Sequence, residues 1–249
     1  MPYRKPTLAA LLAEQGFGTR KECARLVGAG SVEIGYPKDS SIVWRPGKEP
    51  DETLTTESLH LKIGSFTVPY LKHLHLVLHK PVNTECSHTP THHPSVFSLL
   101  PSPFLRRGLE AVGRLDADTT GMLLFSDTGA FNHFFTSPKR HLPKTYRVGT
   151  RHPVSLDQKM KLEAGVELHG GDGITLPAKV AIQSEKSCEL TVEEGKYHQI
   201  KRMLGAVGNR VETIHRIAIG NFPLEESLLP GQWRILGESD LVLLGYSGK

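Results

Sequence analysis

The chain has 249 residues, enough for one large core or for two domains. Hydrophobic residues make up 38% and charged residues 22%, and no apolar run approaches the roughly 18 residues that a membrane helix needs, so a helical membrane protein is excluded. The formal charge of +4 is mild, and three cysteines (Cys23, Cys86, Cys188) without Cys-x-x-Cys spacing fit neither a disulfide framework nor a tetracysteine zinc site. The opening residues, Met1-Pro2-Tyr3-Arg4-Lys5, lead into no apolar stretch of signal-peptide type, so a cytoplasmic protein with reduced thiols is expected.

Residues 7–28 read as two short helices: Leu8, Leu11 and Leu12 share a face, Gly16 ends the first, and Thr19 with Glu22 forms a capping box for the second. Short β-prone pieces follow at Ser31–Ile34, Ile42–Trp44 and Leu59–Ile63, giving a small α/β module over residues 1–68. A domain boundary is expected near 66–73. From Leu74 the alternation Leu74-His75-Leu76-Val77-Leu78-His79-Lys80 predicts a strand stopped by Pro81, and a second domain over 74–249. Within it, strands are predicted at Gly121–Ser126, Thr145–Gly149, 211–219 and 233–236, with hairpins across Ile174–Gly195. Helices fit 130–135, 156–163 (Ser155 and Gln158 as a capping box) and 198–207, closed by Gly208-Asn209. Strands outnumber helices and do not alternate regularly with them, so the fold class is α+β, with a mixed, mainly antiparallel sheet flanked by helices.

Three motifs compete for one acidic stretch. Asp116-Ala117-Asp118-Thr119-Thr120 fits the Asp-x-Asp-x-Thr of haloacid-dehalogenase-type phosphatases, but no continuous apolar strand precedes it and no later acidic pair for magnesium follows. Leu124-Phe125-Ser126-Asp127-Thr128-Gly129 matches the aspartic-protease loop, whose chemistry needs two such aspartates, and a turn explains the single copy better. The third match is longer. Gly113-Arg114-Leu115-Asp116-Ala117-Asp118-Thr119-Thr120-Gly121-Met122-Leu123-Leu124, followed by Lys144-Thr145-Tyr146-Arg147-Val148 and by Gly195-Lys196-Tyr197-His198-Gln199-Ile200-Lys201-Arg202-Met203, resembles the RsuA/RluB/RluE/RluF family of pseudouridine synthases, over about residues 7–236. Cys86-Ser87 after Lys80-Pro81, and Thr136-Ser137-Pro138 before Lys144, are most similar to the small-subunit branch.

The resemblance implies isomerisation of a uridine in ribosomal RNA, most readily small-subunit RNA or its assembly intermediate, with no cofactor and no metal. It gives Asp116 the place of the carboxylate beside the sugar, acting as nucleophile or as base. Tyr146 would lie against the flipped uracil, and Lys201 would pair with Asp116 and keep it ionised. A monomer is expected. The rival of another class is a non-catalytic RNA-binding assembly factor with the same domains.

Residues 16–32 resemble the S4 RNA-binding domain, which implies that Arg20, Lys21 and Arg25 on the second helix face RNA. Two further basic runs adjoin the Tyr146 and Lys201 motifs: Lys139, Arg140 and Lys144 in the first and Arg202 in the second are the expected RNA contacts. Arg114 either probes the RNA vacated by the base or forms an ion pair with Asp118. Six histidines and Cys86 between 73 and 93 invite a zinc reading, but their spacing fits no common finger, and Pro81, Pro90 and Pro94 predict an irregular RNA-contacting loop. In Lys80-Pro81-Val82-Asn83 the family's turn glycine is replaced by Asn83, a residue that tolerates a left-handed backbone.

Overall fold

A computed structural model describes residues 5–168, 170 and 173–248, and the chain divides into two compact units. The first takes the residues up to Leu74 together with Leu100–Leu109. Its helix α1 (Leu8–Glu14) starts where the Thr7 hydroxyl accepts from Ala10 N at 3.4 Å, and Leu8, Leu11 and Leu12 are fully buried on one face. Helix α2 (Arg20–Gly28) carries the expected capping box: Thr19 N donates to Glu22 Oε2 at 2.7 Å, and Glu22 N to Thr19 Oγ1 at 3.3 Å. Strands β1 (Val32–Lys38), β2 (Ser41–Pro46), β3 (His60–Ile63) and β4 (Phe66–Pro69) form an antiparallel sheet in the order β2-β1-β3-β4.

Two elements of this unit were not expected from the sequence. The stretch taken for the domain boundary begins with β4, joined to β3 by the two-residue turn Gly64-Ser65 with Gly64 at φ +59°. Helix α3 (Ser102–Arg106) lies far along the chain but closes this unit. Arg107 just after it donates to Gln15 Oε1 at 2.6 Å and to Leu71 O at 3.0 Å, and Phe104 meets Phe66 edge to face at 5.8 Å. A side chain at Gly16 would come within 1.9 Å of Pro103 O, so only glycine permits this approach.

The second unit is His75–Leu99 with Glu110 onward. Its strands are β5 (His75–Lys80), β6 (Glu110–Ala111), β7 (Thr119–Ser126), β8 (Lys144–Thr150), β9 (Lys179–Ser184), β10 (Ser187–Val192), β11 (Val211–Ile219), β12 (Phe222–Pro223) and β13 (Trp233–Ile235). Among the described residues they make a nine-stranded sheet, β13-β5-β7-β11-β8-β10-β9, with β6 on β7 and β12 on β11. Every pairing is antiparallel except β7 with β11. Helices α4 (Gly129–Thr136), α5 (Leu156–Ala164), α6 (Gln199–Ala206) and α7 (Glu238–Leu243) accompany it; α7 was not expected. Val77, Met122 and Leu124 from the sheet bury against Phe131 and Phe135 of α4, with Phe222 and Leu244 completing this core.

The parallel pair fixes where the loop before β7 lies. Gly121 faces Arg216 in register at φ +104°, and a Cβ there would stand 2.3 Å from Arg216 O. Glycine is therefore a condition of the two strands meeting.

Candidate active site

Asp116 sits in the turn between β6 and β7. Gly113 at φ +74° reverses the chain, and Thr119 N closes the turn on Asp116 O at 3.1 Å. Beneath it lies Lys80, the last residue of β5 and wholly buried, whose ammonium donates to the carbonyls of Pro81 (3.1 Å), Ala117 (3.2 Å) and Thr119 (2.9 Å). Burial lowers the Lys80 pKa, opposed by the charges of Cys86, Asp118 and Asp116. Asn83, left-handed at φ +57° as its residue type allows, adds N–H to Ala117 O at 2.8 Å. The turn is thus fixed through its backbone by two residues of the preceding segment.

Helix α6 brings the second motif. Gln199, Ile200, Met203 and Leu204 are buried, while Lys201 stays at the rim. Its Nζ lies 2.7 and 2.9 Å from the two oxygens of Asp118 and 3.3 Å from Asp116 Oδ2. Burial pulls the Lys201 pKa down, but the hydrogen bond to Asp118 and the nearby Asp116 outweigh it, and the net direction is up. The expected Lys201–Asp116 pair is therefore a shared one, with the shorter contacts to Asp118. Asp118 has its partner in Lys201, and among the described residues Arg114 forms no ion pair, so the Arg114–Asp118 alternative does not hold.

His198, immediately before α6, was not singled out in the sequence. It adopts φ +46°, and its Nε2 stands 3.3 Å from Asp116 Oδ1. A non-glycine residue in this region marks local strain, a signal visible only in the backbone. The ring stacks on Tyr197 at 3.9 Å between centroids, leaving Tyr197 74% exposed.

Tyr146 on β8 is buried and opposes Arg216 of β11 and Leu190 of β10. Asp116, Tyr146 and Lys201, the three residues singled out for chemistry, line one cavity of about 120 Å³ with Arg114, Thr119 and His198. A wider cleft of about 690 Å³ continues from Asp116 past Cys86, His92, His93 and Tyr197. The His92-His93 loop is held by Glu85, whose carboxylate accepts from the backbone N–H groups of Thr91, His92 and His93 and drops to a pKa of about 2. Three other histidines of this stretch disperse: His75 stacks on Phe131 at 4.2 Å, His79 reaches Leu228 O at 2.7 Å, and His88 pairs with Glu110. Among the described residues no group of three or more His, Cys, Asp and Glu is placed to hold a metal ion.

Of the basic residues expected to meet RNA, Arg114 is exposed at the cavity wall, and Lys144 is half-buried in an adjoining cavity. Lys139 and Arg140 are exposed on a 3-10 turn, the guanidinium of Arg140 lying 4.0 Å over the Phe134 ring. Arg202 donates to Tyr197 O at 3.1 Å. Arg20, Lys21 and Arg25 are exposed along α2 of the first unit.

Asp116 and Asp118 lie in a turn ahead of their strand rather than at the end of a parallel one, which removes the phosphatase geometry. Asp127 precedes the Thr128 cap of α4, as the turn reading of that motif requires. Residues 74–206 match the model of the RNA pseudouridylate synthase family, and the chain belongs to that family. It is an α+β pseudouridine synthase. Its relatives include the ribosomal small subunit pseudouridine synthase A of Vibrio cholerae, 38% identical over 90% of this chain and 92% of that one. An uncharacterised RNA pseudouridine synthase of Bacillus subtilis is 36% identical over 95% and 97% of the two chains. A crystal structure of a pseudouridylate synthase superposes with a TM-score of 0.66 at 33% identity, covering 96% of this chain and 99% of that one.

Proposed function

We propose that this protein converts a uridine of small-subunit ribosomal RNA to pseudouridine, with Asp116 as the catalytic carboxylate. The observation that carries the reading is the convergence of Asp116, Tyr146 and Lys201 on one cavity inside the synthase domain. In the reaction the N1–C1′ bond breaks, the uracil turns, C5 bonds to C1′, and the C5 proton is lost while N1 gains one. Substrate and product are isomers, so no electron acceptor or donor takes part. Asp116 acts at the ribose, as nucleophile or as the base that removes a ribose proton. Tyr146 packs against the flipped base, whose extraction from its stack costs a few kcal/mol. Lys201 supplies the counter-charge, and His198 steadies the other carboxylate oxygen. Outside the cavity, Arg114, Lys139, Arg140, Lys144 and Arg202 bind the RNA, and the first unit acts as an S4-type RNA-binding domain through Arg20, Lys21 and Arg25. The protein works as a cytoplasmic monomer; among the described residues no helix is long and apolar enough to cross a membrane.

The test is tritium release from small-subunit rRNA labelled at uridine C5. The wild-type protein should release tritium and D116N should not. Absence of release from both naked RNA and assembly intermediates would refute the reading, and loss of a large-subunit pseudouridine in cells lacking the protein would overturn the small-subunit assignment.

A further inference from the structure

Among the described residues, two cations beside the Asp116 cavity lack an anion. Arg216 on β11 is 4% exposed; its Nε donates to Met122 O at 2.7 Å, and its Nη2 is buried with no hydrogen-bond partner among the described residues. Lys144, at the start of the neighbouring β8, has for its Nζ only the Leu142 carbonyl at 3.0 Å among the described residues. Burial and the Arg216 charge bring the Lys144 pKa down to about 8. Both residues border a cavity of about 250 Å³ that shares Arg114 and Tyr146 with the Asp116 cavity.

Buried charges are ordinarily paired, and a buried donor left unmet is costly. The carboxylates at this cavity do not meet the need. Glu194 is occupied by Leu176 N at 3.0 Å, Gln199 Nε2 at 2.7 Å and Lys196 at 3.6 Å. Glu193 forms no ion pair with either cation among the described residues. What is missing is a compact anion with several acceptor oxygens, which suits a guanidinium beside an ammonium. Residue pairing sets its position: Arg216 opposes Tyr146 in the sheet, so an anion held there lies one residue's width from the base-contacting ring.

We propose that Arg216 and Lys144 together hold one backbone phosphate of the RNA, adjoining the nucleotide that enters the Asp116 cavity. The inference rests on the reading that RNA bearing the target uridine occupies that cavity. Phosphate contacts fix register without reading sequence, so this subsite positions the strand. Free phosphate offers the same chemistry, and the experiment separates the two sources.

Affinity for a small-subunit rRNA fragment is measured against salt concentration for the wild type, K144Q, R216Q and the double variant, with melting curves as the control for folding. Each lost phosphate contact flattens the log–log salt slope by about 0.7–0.9. Each single variant should lose about that much and the double variant no more, because the phosphate seats only with both cations in place. A wild-type slope in K144Q overturns the proposal, and so does a double variant that loses twice the single value. If R216Q does not fold, K144Q alone decides. Inorganic phosphate at constant ionic strength should displace RNA from K144Q less effectively than from the wild type. Saturation by phosphate with no effect of the variants on RNA slopes would make the ligand free phosphate and overturn the RNA assignment. Tritium release by the wild type reports on the uridine reading separately from all of these slopes.

Discussion

Replacing Lys80 with methionine removes the ammonium from under the Asp116 turn while keeping most of the buried stem. The ammonium donates to three carbonyls, and two of these keep a second donor after the change: Thr84 Oγ1 on Pro81 at 2.9 Å and Asn83 N on Ala117 at 2.8 Å. Bonds to a charged donor are worth about 1.5–3 kcal/mol each, and relief of the lysine's desolvation offsets part of the loss. A net cost of about 2 kcal/mol follows, roughly one such bond. For a chain of this size that lowers the melting temperature by about 4–8 °C. Activity should fall further than stability, because the turn carries the carboxylate and a displacement of about 1 Å costs on the order of 100-fold in rate. Thermal melting and tritium release under saturating RNA measure the two effects. A K80M protein that melts within about 1 °C of wild type and turns over normally would refute the account of how the turn is held.

Three further outcomes are expected. G121A should lose its cooperative melting transition, because an alanine at φ +104° is strained and its Cβ would meet Arg216 O at 2.3 Å; a variant melting within a few degrees of wild type would contradict this. Lys201 is raised above the ordinary lysine value, so the stability it contributes is complete below about pH 10.5 and is lost as pH rises through its folded value; the melting temperature of wild type relative to K201M should narrow over that window. Glu85 is depressed to about 2, so its hold on residues 91–93 is complete above the ordinary value of 4.5 and fades toward pH 2. E85Q should reduce amide-exchange protection at Thr91, His92 and His93 at pH 6, and unchanged protection there would show that the carboxylate does not order this loop.

Elements governed by neighbouring residues were legible in the sequence. The capping boxes at Thr19 and Ser155 mark the helices they begin, since each is a local exchange of hydrogen bonds. β4 was missed because Gly64-Ser65 is a turn of only two residues, and the residues after it read as the domain boundary. α3 has five residues, follows Pro101 and holds Pro103 in its first turn, and it depends on Arg107 reaching Gln15 and Leu71, contacts that no local pattern announces. α7 depends similarly on Arg234 and on Asp240, which receives Gly237 N at 2.8 Å. At the candidate site, Asp116, Tyr146 and Lys201 stood out through family motifs. Lys80 read as the end of a strand, and His198 gave no sign of its left-handed backbone. Both owe their place to the tertiary approach of β5 and α6 to one turn.

The two lysines at that turn respond to their surroundings in opposite directions. Lys80 touches only neutral carbonyls, so burial prevails and its pKa falls; Lys201 touches two carboxylates, and its pKa rises. Lys80 therefore acts on the backbone and Lys201 on side-chain charge. Asp118 then has a definite part in the arrangement. By taking the shorter contacts, 2.7 and 2.9 Å against 3.3 Å, it holds Lys201 beside Asp116 without letting the ammonium close fully on it. His198 approaches the other oxygen at the same 3.3 Å. Neither neighbour makes a short contact to Asp116, which leaves both of its oxygens room to act at a ribose under the proposed function.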